Sequence, residues 1–165
     1  MVPVRMTEII AYSAEHLSAV LKLTERAWDP VFPLMRDEIP KYVYDAFYPD
    51  GWQKRQLADV EATCLDLSTD MRIALTDARV SGYLGLREHP DDSMGEIYII
   101  AVDPDFQRQG VGEALMAYAF EWMRQRGLSM AMVETGDDAG HSPSRAAYES
   151  AGFERYPVAR YFRKL

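Results

Sequence analysis

The chain has 165 residues, enough for one domain with a full core, since a chain of roughly 150 residues buries about 70% of its unfolded surface. Its 26 acidic against 18 basic residues leave a net charge of −8, which argues against nucleic-acid binding and suits either plain solubility or a cationic partner. One cysteine (Cys64) excludes an internal disulfide, three scattered histidines (His16, His89, His141) show no metal-ligand spacing, and no window approaches the roughly 20 apolar residues of a membrane span.

In chain order, Thr7 to Tyr12 reads as a first strand, and Ser13 with Glu15 as the cap and first turn of a helix reaching Trp28. Leu17, Val20, Leu21, Leu23 and Trp28 form its apolar stripe. Residues 29–51 carry Pro30, Pro33, Pro40 and Pro49 among many aromatics, which predicts short helical pieces and turns, a region able to line a pocket. A helix from Trp52 to Leu65 follows, then a hairpin of strands Arg72–Leu75 and Val80–Arg87. A polar loop, His89 to Met94, leads to an apolar strand from Glu96 to Val102. Val111, Leu115, Tyr118 and Trp122 mark one face of the next helix, which Gly127 terminates. Met130–Glu134 is a further strand, residues 136–141 a flexible acidic loop, and Ser142–Pro143 opens a helix that ends at Gly152. Phe153–Val158 and Ala159–Leu165 are expected as a last extended pair, the latter able to join two copies as a homodimer. Without repeats, low-complexity tracts or linkers, residues 1–165 read as a single α+β domain with a mixed sheet. No leader pattern follows Met1, so the expectation is a cytoplasmic protein without a membrane partner.

The chemistry-bearing stretch is Val102-Asp103-Pro104 followed by Gln107, Arg108, Gln109, Gly110, Val111, Gly112 and Glu113. Alternate glycines let a backbone approach an anion closely, and the free N–H groups of a helix's first turn point at it. Leu115 stands where a dinucleotide-binding fingerprint wants its third glycine, and no Lys-Ser or Lys-Thr pair follows as a P-loop requires. Close helix-to-strand packing is the alternative reason for such glycines.

The order from Val102 to Leu115 resembles motif A of the GNAT (GCN5-related N-acetyltransferase) superfamily. Ser142 to Phe153, with Tyr148 and the closing Gly152-Phe153, is similar to its motif B. The resemblance spans roughly Arg72 to Phe162. It implies a mostly antiparallel sheet of about seven strands with a splayed parallel pair, flanked by helices, and acetyl-CoA wedged between the splayed strands. The implied cofactor contacts are Ile100, Ala101 and Val102 to the pantetheine arm and Gln107, Arg108, Gln109, Gly110, Val111, Gly112 and Glu113 to the pyrophosphate, with Ser144 on the motif B helix. Arg108 is either a phosphate ligand or a solvated arginine. His141 stands where many relatives carry Asn, and either bonds cofactor or substrate or caps the helix.

The same resemblance implies direct attack by a primary amine on the thioester. An alkyl ammonium with a pKa near 10.4 must first lose a proton, and Glu96, seven residues before Asp103, matches the general-base glutamate of the family's histone-acetylating members. A strand-end carboxylate in solvent is the alternative, with Glu134 a second candidate base or an anchor for substrate ammonium. Tyr148 is the implied general acid. Trp28 and Asp37 stand in the part of the chain that usually walls the acceptor site, where aromatics and carboxylates suit a small cation such as an aminoglycoside or polyamine. Peptide acetylation, or a non-catalytic acyl-CoA-binding sensor, are the alternatives.

Overall fold

A computed structural model describes residues 5–165. Five strands form one sheet in the order β1-β2-β3-β4-β5: β1 (Thr7–Ala11), β2 (Asp70–Thr76), β3 (Arg79–His89), β4 (Met94–Val102) and β5 (Met130–Val133). The first four are antiparallel neighbours, and β5 runs parallel to β4. A parallel neighbour requires a crossover, and α5 (Val111–Gln125) supplies it across one face. Val111, Leu115, Ala119 and Trp122, spaced by three or four residues, bury that helix against Leu84, Leu86 and Ile97.

The opposite face is covered by α1 (Leu17–Trp28) and α4 (Trp52–Leu65). There Val20, Leu23 and Val60 meet Met71, Ile73, Tyr83 and Ala101. Tyr83 is fully buried, and its hydroxyl lies 2.8 Å from Thr24 Oγ1. Because Thr24 already donates to the Val20 carbonyl, Tyr83 is the donor of that pair, which satisfies the one polar atom the ring carries inward.

The proline-punctuated region folds into α2 (Val31–Glu38) and α3 (Lys41–Phe47). Its aromatics mostly pack on one another: Phe32 stacks on Trp52 at 4.4 Å and meets Tyr48 edge-on at 5.2 Å, and Tyr44 reaches Tyr48.

The expected last pair of strands is not formed, so the sheet has five strands rather than seven. After the Phe153 amide, which donates to the Tyr148 carbonyl at the end of α6 (Ser142–Ser150), no backbone hydrogen bond involves residues 154–165 among the described residues. Pro157 lacks a donor N–H, no turn residues separate the two expected strands, and Tyr156 and Tyr161 stay exposed without a sheet face to pack on. The expected flexible loop before α6 is also tied down: residues 139–141 form a 3-10 turn capped by Asp138, and Arg145 Nη1 donates to the Gly136 and Asp138 carbonyls, each at 2.7 Å.

Candidate active site

Two irregularities in β4 create the site. Gly85 pairs with Ile99 but Leu86 pairs with Ile97, so Tyr98 is an extra residue, a β-bulge that bends the strand. At the same place β4 parts from β5: their pairing runs from Met94 with Met130 to Ile97 with Val133 and goes no further. Beyond it, the edge of β4 from Tyr98 to Val102 is unpaired on the β5 side, the arrangement that strand-like recognition of an extended ligand needs. Ile100, Ala101 and Val102 lie on this edge, although the Val102 carbonyl already accepts from Gln107 Nε2 at 3.2 Å.

Glu96 sits one pair before the parting. Alternation along the strand puts it on the face opposite Ile97, which packs under α5, so its carboxylate faces the side of α1 and α4. Its side chain is only 14% exposed, and Oε2 lies 2.6 Å from His89 Nε2. Glu134 is exposed, just past the end of β5.

The glycine turn lies at the far end of β4. Asp103 is buried, its amide donates to the Ser81 carbonyl, and its carboxylate accepts the Asp105 amide and both oxygens' bonds from Arg26 Nη1 at 2.7 and 2.9 Å. Arg26 Nη2 also reaches Asp105 at 2.9 Å, so α1 clamps the turn from the opposite sheet face. Gln109 Nε2 donates to the Asp105 carbonyl at 2.7 Å. Arg108 (φ +58°) and Gly110 (φ +86°) are left-handed on either side of Gln109. Alternation of this kind turns successive backbone N–H groups into a concavity for an anion, and a non-glycine residue held there costs about 1 to 2 kcal/mol.

Gly110 is the N-cap of α5 and offers no capping side chain. The first amide bonded within the helix is that of Ala114, to the Gly110 carbonyl, which leaves the Val111, Gly112 and Glu113 amides for a ligand. The cradle therefore fits a pyrophosphate: Gln107 to Glu113 would hold it, with the exposed Arg108 side chain beside it. A Cβ on Gly112 would meet only Val102 Cγ2 at 3.7 Å, an ordinary contact. Gly112→Ala is thus expected to fold with unchanged or higher Tm, alanine being about 1 kcal/mol better in a helix, and to keep the KM for acetyl-CoA within about threefold, since the added methyl makes only that ordinary contact. Thermal unfolding beside acetyl-CoA titration checks both halves.

Tyr148 lies on α6, half-buried against the core under α5 and edge-on to Phe153 at 5.9 Å. Burial pushes its phenol up to about 12, so it is a neutral donor at physiological pH. It approaches from the α5 face, whereas Glu96 points to the other. His141 Nδ1 lies 2.7 Å from Asp138 Oδ2 and makes no side-chain bond to cap α6, which leaves Nε2 available. Ser144 is half-buried in the first turn of α6.

On the side of the N-terminal helices, Trp28 is half-buried against the α1 core, and Asp37 is largely exposed with Arg36 at 3.5 Å. Three residues without an expected role organise the site: His89 on Glu96, Arg26 on the turn and Asp138 on His141; Glu38, one of the carboxylates expected along the acceptor wall, instead accepts the Ala139 amide through Oε1 and ties α2 to the β5–α6 loop. Asp138, three residues before His141, carries a local capping signal, whereas His89 and Arg26 lie 7 and 77 residues from their partners and no local pattern marks them. The Cys64 thiol is pushed up by burial, which suits packing rather than nucleophilic work.

The fold is shared with known proteins. The profile of the acetyltransferase (GNAT) family matches residues 31–153. A mycothiol acetyltransferase from Thermomonospora curvata is 37% identical over 86 residues, covering 52% of this chain and 28% of that protein, so the chain spans little more than a quarter of that relative's length. The structure resembles that of the aminoglycoside N-acetyltransferase AAC(6')-Iy in complex with CoA (TM-score 0.66, 19% identity, 99% of each chain). It also resembles the ribosomal-protein-S18-alanine N-acetyltransferase of Escherichia coli (TM-score 0.64, 20% identity, 92% of this chain and 80% of that one). No helix among the described residues is long and apolar enough to cross a membrane, and no group of three or more His, Cys, Asp or Glu among them could hold a metal ion. With a family profile matching most of its length and the family's fold throughout, the chain belongs to the GNAT family of acetyltransferases.

Proposed function

We propose that this protein is an acetyl-CoA-dependent N-acetyltransferase acting on the primary amine of a small cationic molecule. The observation that carries the first part is the coincidence, on one strand, of an anion cradle at its end, an unpaired edge after its bulge, and a mostly buried carboxylate at its start. Acetyl-CoA supplies the activated acyl thioester; the cradle from Gln107 to Glu113 binds its pyrophosphate, and the edge from Tyr98 to Val102 orients its arm. Glu96 takes the proton that an ammonium must lose before it can attack, and Tyr148, kept neutral by burial, holds a proton for the leaving group.

The cationic acceptor is supported by the net charge of −8 and by the exposed carboxylates of Asp29, between α1 and α2, and Asp37, on α2. The likeness to aminoglycoside acetyltransferases points the same way, and that to a peptide-acetylating enzyme keeps an N-terminal amine as the second reading. The lone thiol suits a reducing compartment such as the cytoplasm.

A free-thiol release assay with acetyl-CoA tests the proposal on neamine, spermidine, a mycothiol-type amine, a peptide beginning with alanine, and an arylamine uncharged at pH 7. Turnover is expected with neamine or spermidine. Turnover of the arylamine alone would refute the cationic acceptor, and turnover of the peptide alone would transfer the assignment to protein acetylation.

A further inference from the structure

Nothing in the family resemblance points to the end of β3, yet that is where the one polar partner of Glu96 stands. β3 and β4 are antiparallel and Arg87 pairs with Glu96, so His89, two residues beyond Arg87, emerges on the same face, diagonal to Glu96. Its Nε2 lies 2.6 Å from Glu96 Oε2, and its ring is 41% exposed while Glu96 is 14% exposed. The other charged neighbour on this face is already engaged: Arg87 bonds Thr69 and Asp66 and lies over the Tyr98 ring at 3.3 Å. Among the described residues the second carboxylate oxygen, Oε1, has no hydrogen-bond partner, and since no buried side-chain polar atom is left unpaired, Oε1 meets solvent.

We infer that His89 is a positioning residue for the base: its Nε2–H donates to Oε2, fixes the Glu96 rotamer beside the bulge, and presents Oε1 alone to the acceptor's ammonium. A carboxylate on a long side chain that faces solvent on one side would otherwise sample several rotamers, and displacement of a reacting group by about 1 Å can cost 100-fold in rate. This inference rests on the reading of Glu96 as the base.

The test uses the full chain with spermidine and neamine as acceptors and compares H89A, H89Q, E96Q and H89A/E96Q. Glutamine places an amide Nε2 donor at the same number of bonds from the backbone as the histidine nitrogen, but it cannot relay a proton. H89A is expected to lower kcat about 10 to 100-fold with the KM for acetyl-CoA unchanged, and H89Q to recover kcat to within about threefold. H89A/E96Q is expected to be no slower than E96Q, because the histidine acts only through the carboxylate. In ¹⁵N-labelled wild-type protein the His89 Nε2–H resonance should stay visible at pH 8 and vanish in E96A. Wild-type kcat in H89A, an H89Q variant as slow as H89A, additive losses in the double variant, or an absent resonance would each overturn the role given to His89. Wild-type kcat in E96Q, or no wild-type turnover of either acceptor, would instead overturn the reading beneath it.

Discussion

Glu96→Gln is expected to lower kcat about 100 to 1000-fold and to leave the KM for acetyl-CoA within about twofold of its starting value. The split follows from where the residue stands. Glu96 precedes the parting of β4 from β5, whereas the cradle is at the other end of the strand, so the substitution leaves the anion site untouched. Glutamine keeps the shape of the carboxylate and can still pair with His89, so the fold is expected to tolerate it; what it lacks is basicity. Raising the pH should recover part of the loss, because more of the acceptor amine is then already neutral. Steady-state kinetics from about pH 7 to 10 check the drop and its relief, and a drop that does not change with pH would point to a structural lesion.

Tyr148→Phe is expected to slow turnover about 10 to 1000-fold with little change in acetyl-CoA affinity. Because burial pushes the phenol up to about 12, its proton is present throughout the range in which the enzyme can be assayed, and the loss should be the same factor at pH 7 and near pH 10. The same shift has a sign for stability. Below the ordinary phenol value of about 10 both folded and unfolded chains keep the proton; above it the unfolded chain ionises first, so stability falls as pH rises toward 12. The fully buried Tyr83 is raised for the same reason and acts in the same sense. Tyr148→Phe should therefore shrink, without abolishing, the loss of stability above about pH 10, as urea unfolding at pH 8 and 10.5 would show. An alkaline fall in wild-type kcat centred near 10 that disappears in the variant would contradict the effect of burial on Tyr148.

The helices with strong periodicity were legible before any coordinates. The expected helix Trp52–Leu65 is α4 residue for residue, and the stripe of Val111, Leu115 and Trp122 is the buried face of α5. Local chemistry marks these segments: an apolar period of 3.6, and a glycine after the end, here Gly127 with Leu128 bonding back to Met123. The final residues misled for a related reason. Tyr156, Val158, Tyr161 and Phe162 have the composition of strands, but a strand also needs a partner edge, which Pro157 and the lack of a turn deny it within this chain.

By itself the sequence determined the residue types and their order: Glu96 before the glycine turn, Tyr148 after it, and the elements that carry each. Only the tertiary structure decided their surroundings, because strand register and burial are relations between distant segments. It set the bulge at Tyr98, the clamp of Arg26 on Asp103 across 77 residues, and the single hydrogen bond that His89 makes to Glu96. Charge and hydrogen-bonding capacity belong to a residue, whereas the direction in which a carboxylate points is set by whatever folds against it.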